Sequence, residues 1–314
     1  MTHSAPAAYV LAAVLLATLL PGHAAQARVL EVGPGREFKL PSEAVKAAQA
    51  GDTVRLQPGE YFDCATLSQA KLVFEGVGDP SKVLLTDKAC GGKALLITTG
   101  ADITIRNLTL TRARVPDNNG AGIRGEGAML LVDGVRFINN QNGILSGTED
   151  ATIIVQNSMF DRNGTCQGSC AHAIYAGHLK LLRVENTRFT DTREGHHIKS
   201  RAARTEVVGC TLDDGDAGTA SYMIEAPNGG SLVVRDSTLT KGPEAGNHTG
   251  AIVIGTEGVN QPTREITIAN NTFRNAGSYP TAFVWNLSAT DAMLTGNRIS
   301  GQAKPLQGDG KVTR

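Results

Sequence analysis

Ile105-Arg106-Asn107-Leu108-Thr109-Leu110 is the stretch whose reading decides the fold, because the chain returns to it seven times. It recurs as Val132-Asp133-Gly134-Val135-Arg136-Phe137, as Val155-Gln156-Asn157-Ser158-Met159-Phe160 and as Val184-Glu185-Asn186-Thr187-Arg188-Phe189. Val207-Val208-Gly209-Cys210-Thr211-Leu212, Val234-Arg235-Asp236-Ser237-Thr238-Leu239, Ile268-Ala269-Asn270-Asn271-Thr272-Phe273 and Leu294-Thr295-Gly296-Asn297-Arg298-Ile299 complete the series, at intervals of 23–34 residues. The third position is always Asn, Gly or Asp, the residues that tolerate a left-handed backbone. Apolar residues stand two before it and three after it. Each copy therefore reads as strand, one-residue corner, strand. Repetition at this period predicts a solenoid whose stacked units share one core.

Outward from this landmark lies a second one in the other half of each repeat: Gly122-Ile123-Arg124, Gly143-Ile144-Leu145, Ala173-Ile174-Tyr175, His197-Ile198-Lys199, Met223-Ile224-Glu225, Ala251-Ile252-Val253 and Ala282-Phe283-Val284. Its central apolar residue is expected to point inward and its neighbours outward. No segment past residue 50 keeps a helical period for more than one turn. The coils are thus all strand, a parallel β-helix. The Leu-x-x-Leu-x-Leu frame of a horseshoe is absent, and so are the hairpin turns of propeller blades. Only Pro41–Ala50 reads as a short amphipathic helix, started by Ser42 and expected to cap the open end of the first coil.

The 314-residue chain carries 30 Lys and Arg against 30 Asp and Glu, so bulk charge gives no reason to expect nucleic acid as a partner. The apolar run Ala7–Leu20 is too short to span a bilayer and is followed by Ala25-Gln26-Ala27, a small-x-small cleavage pattern. Residues 1–27 read as a signal peptide, which predicts a periplasmic or secreted protein with no membrane span after cleavage. The mature chain, 28–314, reads as one β-helix domain: a cap and first strands at 28–62, coils at 63–303 and a loose tail or partial cap at 304–314. A monomer is the expected state. In an exported chain Cys166 pairs with Cys170 and Cys64 with Cys90, while Cys210 is left as a buried thiol.

The block Glu31-Val32-Gly33-Pro34-Gly35, Ala44 to Ala48, Ala50-Gly51-Asp52-Thr53-Val54 and Pro58-Gly59-Glu60-Tyr61 resembles the opening of pectin-lyase-like proteins. The resemblance implies an all-β, right-handed parallel β-helix over the whole mature chain. The superfamily it points to holds lyases, epimerases, hydrolases, esterases and adhesins, so activity must be argued from the site. The Asp-Pro-His-Asp of alginate epimerases is missing, and Asp213-Asp214 follows His197-Ile198-Lys199 in an order that polygalacturonases do not use.

Stacking the second landmark puts Tyr175, Lys199 and Glu225 in one outward column, with neighbouring coils about 4.8 Å apart. His197, Lys199 and Arg201 fall along one exposed strand. These residues suit an acidic polysaccharide: Arg201 grips a uronate carboxylate, Lys199 or His197 takes the neighbouring proton, and Tyr175 serves as acid or relay. The reaction class is β-elimination or C5 epimerisation, with a non-catalytic glycan-binding or envelope assembly protein as the alternative. Glu225 is expected to touch substrate, although a Lys199–Glu225 pair is equally readable as a cross-strand ion pair. Arg124 and Glu126 repeat the outward pattern two coils away, as a rim subsite or a surface pair. His172 and His196 fall on the inward column, as core histidines or substrate contacts. No metal ligand set is apparent; Ca²⁺ stays open as a cofactor through Asp213-Asp214-Gly215-Asp216, which reads more simply as a polar turn.

Overall fold

The computed structural model of the chain describes residues 1–3 and 26–313; the expected signal peptide falls almost entirely outside them. The chain winds through three parallel sheets of twelve, ten and ten strands, here A, B and C, in about eleven turns. One coil shows the path. Ile103–Arg106 lies in sheet A, Thr109–Thr111 in sheet B and Ala121–Gly125 in sheet C, and Met129–Asp133 returns to sheet A. Copies that align in sequence are hydrogen-bonded in space: Val132 pairs with Ile105 and Val155, and Phe137 pairs with Leu110 and Phe160.

The corner residue of every copy is left-handed. Asn107, Gly134, Asn157, Asn186, Gly209, Asp236, Asn270 and Gly296 have φ between 47° and 64°. That single reversed dihedral swings the chain from sheet A into sheet B without breaking either ladder. Inside, identical positions stack. The rings of Phe137, Phe160 and Phe189 follow one another at 4.4 and 4.7 Å, nearly parallel. This matches the coil spacing, so each ring fills the void its neighbour leaves.

A single short helix, Pro41–Ala47, buries Ala44 and Val45 in the core of the first coils. It starts at Pro41 as expected but ends three residues before Ala50, and its N-cap is Leu40 rather than Ser42. The Glu43 carboxylate accepts the amides of Lys39 and Leu40, and the Ser42 amide donates to Asp63. The expected loose tail is also corrected: Ala303–Gln307 and Gly310–Thr313 are strands that extend sheets C and A. Cys64–Cys90 and Cys166–Cys170 are disulfide-bonded, the second inside a two-stranded hairpin. Cys210 is a buried free thiol whose pKa burial pushes up to about 11. No helix among the described residues is long and apolar enough to cross a membrane.

Candidate functional site

Sheet C holds the candidate site because its strands alternate strictly there. Ile174, Ile198 and Ile224 are paired, fully buried and inward, which turns the next residue of each strand outward. Tyr175, Lys199 and Glu225 are therefore in direct register on neighbouring strands. Lys199 Nζ lies 3.1 Å from Glu225 Oε2. Arg201, two residues along, donates to the Tyr175 hydroxyl oxygen and lays its guanidinium over the Tyr175 ring at 5.2 Å.

Glu225 is only 4% exposed. Burial alone would raise its pKa, but His196, Lys199 and the Thr256 hydroxyl, 2.6 Å from Oε1, outweigh it and hold the carboxyl at about 2. His196 Nε2 stands 3.0 Å from Oε2, but neither it nor Lys199 meets that oxygen in hydrogen-bonding alignment, so the Lys199 charge rather than a directed bond holds it.

The histidines correct the sequence reading in both directions. His197, expected on the outer strand face, is fully buried inside the coil. Its Nδ1 lies 2.7 Å from Thr192 Oγ1, its Nε2 2.8 Å from Asp214 Oδ1, and its ring edge meets Phe189. The cause is local: His197 occupies a bend before the strand Ile198–Ser200, where alternation has not begun. The same column holds Gly122 and Gly143, where an added Cβ would meet the rings of Phe137 and Phe160. The column therefore faces the sheet B aromatics, not solvent.

His172 and His196, expected inward, instead join a ring stack on the outer side, Tyr175–His172–His196–Tyr222, with centroids 5.6, 4.8 and 5.3 Å apart. His196 Nδ1 accepts the Tyr222 amide and His172 Nδ1 accepts the His196 amide, both at 3.0 Å. Burial lowers both pKa values, against the pull of Glu225, and neutral rings so bonded carry their proton on Nε2. They are donors here, with no free lone pair.

Glu257 is the residue that sequence reasoning missed. It lies in the insertion 255–262 after the sheet C strand Gly250–Ile254, where Gly255 at φ 86° turns the chain back. The Glu257 amide then bonds Pro227 O at 2.9 Å, which carries the side chain over the column. Its Oε1 accepts from Lys199 Nζ at 2.8 Å and its Oε2 from Arg201. Burial opposes ionisation of Glu257, yet these two cations hold its pKa below the usual value. Two cations and two carboxylates thus close on one another. The only sequence signal was the insertion itself; nothing in its composition singled out Glu257.

Arg124 and Glu126 do not join this cluster. Leu145 separates Arg124 from Tyr175 in the column, and Glu126 pairs with Lys93 at 2.8 Å and Arg124 at 3.5 Å as a surface group. The Asp213–Asp216 turn is also committed elsewhere: Asp214 holds His197 and the Gly242 amide, and Asp213 accepts the Gly215 amide. The outward column also slips at its end. Val284 is buried and Trp285 takes its place beside Val253, because the pairing of Thr281–Asn286 is offset by one residue, while Phe283 stacks on Phe273.

Comparison with known proteins agrees with this architecture. Residues 85–223 match the model of the family described as the right handed beta helix region. The chain is a right-handed parallel β-helix. A crystal structure of alginate lyase from Paenibacillus sp. str. FPU-7 superposes on the β-helix with a TM-score of 0.62 at 18% identity, covering 90% of this chain and 98% of that one. Pectin methylesterase PemA from Erwinia chrysanthemi gives 0.42 at 11% identity, over 88% and 93% of the two chains. The tailspike gp49 of Acinetobacter baumannii bacteriophage Fri1, a capsular polysaccharide depolymerase, gives 0.47 at 12%, over 91% and 63%. No curated protein sequence matches the chain.

Proposed function

We propose that this β-helix acts on an acidic, uronate-containing polysaccharide by exchanging or eliminating the proton at C5, as a lyase or C5 epimerase. One observation carries the reading. Lys199 and Arg201 already hold a carboxylate, that of Glu257, on the outer face of sheet C beside the Tyr175 hydroxyl. A uronate carboxylate that takes the place of Glu257 meets the same two cations, which withdraw charge as C5 loses its proton. Tyr175 is the proton-transfer group. Its phenolate oxygen, held by the Arg201 N–H, takes the C5 proton. The phenol so formed protonates the leaving glycosidic oxygen in elimination, whereas in epimerisation water returns a proton to C5 from the opposite face. Lys199 acts as counter-ion and not as base, since its amine sits between two carboxylates. His197 has no part in the chemistry and holds the interior. The fold shared with an alginate lyase supports the substrate class.

The same reading makes the protein an exported monomer. Residues 1–27 act as its signal peptide, the two disulfides suit an oxidising compartment, 28–314 form one domain, and Pro41–Ala47 caps the first coil. A binding role without turnover is the second reading. It is favoured by the occupied acceptor nitrogens of His172 and His196, which leave Tyr175 without a partner base.

A panel of uronate polymers separates the two. Unsaturated-uronate absorbance or solvent deuterium at C5 is expected from the wild type, falling at least about 10²-fold in Tyr175→Phe. Neither signal on any polymer, with polymer retarded in affinity gels, leaves binding alone.

A further inference from the structure

A second charged feature lies away from the Tyr175–Lys199 column. A cavity of about 500 Å³ opens beside the Cys166–Cys170 hairpin, where the chain turns from sheet B to sheet C. Arg114 and Arg193 line it and converge on one acceptor: Arg114 Nη2 and Arg193 Nη1 donate to Asn139 Oδ1 at 2.8 and 3.2 Å. The only other hydrogen bond from their guanidinium groups among the described residues is from Arg114 Nη1 to its neighbour's carbonyl, Ala113 O. Two guanidinium ions thus share a neutral amide oxygen and form no ion pair with a described carboxylate. Glu194 also borders the cavity, but its carboxylate accepts the Cys166 amide. Burial and the charge of Arg193 hold Arg114 below its usual pKa, against the weaker pull of Asp87, whose carboxylate is bonded to Arg112.

The walls are built to keep the pair in place. Buried Gln141 accepts the amides of Val115 and Gly120 at 2.9 and 2.8 Å, fixing the loop that bears Arg114. Asn118 donates to Gln167 O at 2.7 Å, which ties that loop to the disulfide hairpin. Loops held this firmly around two converging cations that share a neutral acceptor and make no direct ion pair form an oxyanion site, since planar guanidinium groups match the oxygens of carboxylate or sulfate.

We infer that this cavity binds an oxyanion substituent, carboxylate or sulfate, carried on the same glycan that the sheet C face receives. The source of the anion rests on the proposed function; the cation pair does not. Arg193 precedes Lys199 by six residues, a reach of at most about 20 Å, so one oligosaccharide can engage both sites.

The test is calorimetric titration of the full chain with a tetrauronate, and separately with sodium sulfate against chloride at matched ionic strength. Arg114→Gln and Arg193→Gln should each weaken tetrauronate binding at least about tenfold, with the denaturation midpoint and turnover at saturation unchanged. Unchanged tetrauronate affinity in both variants overturns the inference. So does sulfate binding that depends on the arginines while tetrauronate binding does not, which would mean a free small anion. If no polymer is turned over yet tetrauronate binding still requires Arg193, the C5 chemistry fails and this site stands.

Discussion

Glu257 occupies the place proposed for the substrate, so removing its charge should tighten binding, not weaken it. In Glu257→Gln the side chain keeps its shape but no longer competes for Lys199 and Arg201. At the 2.8 Å separation from Lys199, a charge pair gains about 1.5–6 kcal/mol for effective dielectrics of 80 to 20, before hydration is counted. The Glu257 side chain is 42% exposed, however, and such pairs retain only about 0.2–1 kcal/mol each in water. Two contacts therefore give about 0.4–2 kcal/mol of competition, which corresponds to about 2–30-fold tighter binding of a uronate oligomer. The assay is calorimetry or affinity electrophoresis with the oligomer, with a neutral oligosaccharide of equal length as control. Raising the salt should shrink the gap between variant and wild type, because the competing pairs are partly exposed. Weaker uronate binding in Glu257→Gln would refute the reasoning: Glu257 would then be organising the two cations for the substrate, not standing in its place.

Further outcomes follow from the same geometry. His197→Ala removes a buried partner of Asp214 and opens a void against Phe189, so it should cost about 2–4 kcal/mol in denaturant unfolding while leaving turnover per folded molecule intact; a large turnover loss in a stable variant would return His197 to the site. Phe160→Ala breaks the ring ladder in its middle and should cost about 3–5 kcal/mol. Glu225 has a folded pKa of about 2 against an ordinary 4.5, so its ionised form adds stability that is full above 4.5 and lost as pH falls towards 2. That contribution is on the order of 3 kcal/mol, and Glu225→Gln should flatten unfolding free energy against pH across that window; an unchanged slope would mean that Glu225 is not held ionised by its neighbours.

Much of this could be read before any coordinates. The eight corner residues are Asn, Gly or Asp because one left-handed dihedral per coil is needed, and all eight have it. Strand alternation then placed Tyr175, Lys199 and Glu225 in one column, since a period of two and a constant coil spacing are local rules that any stretch of strand obeys. Where the chain leaves extended geometry those rules lapse. His196 and His197 exchanged sides because they precede the strand that begins at Ile198. Within the strand Thr281–Asn286 the pairing is instead offset by one residue, so Trp285 and not Val284 stands beside Val253 while Phe283 stacks on Phe273.

What the amino-acid order determined by itself was the coil, its period and the residues stacked along each strand, all consequences of interactions between near neighbours and their repeats. What only the tertiary structure decided was the charge environment of the site. Glu257 lies 58 residues beyond Lys199, and Arg193 lies 54 beyond Asn139. Those meetings depend on how aperiodic loops fold back over the sheets, a path set by particular contacts such as Glu257 N to Pro227 O and not by any repeating pattern of apolar residues.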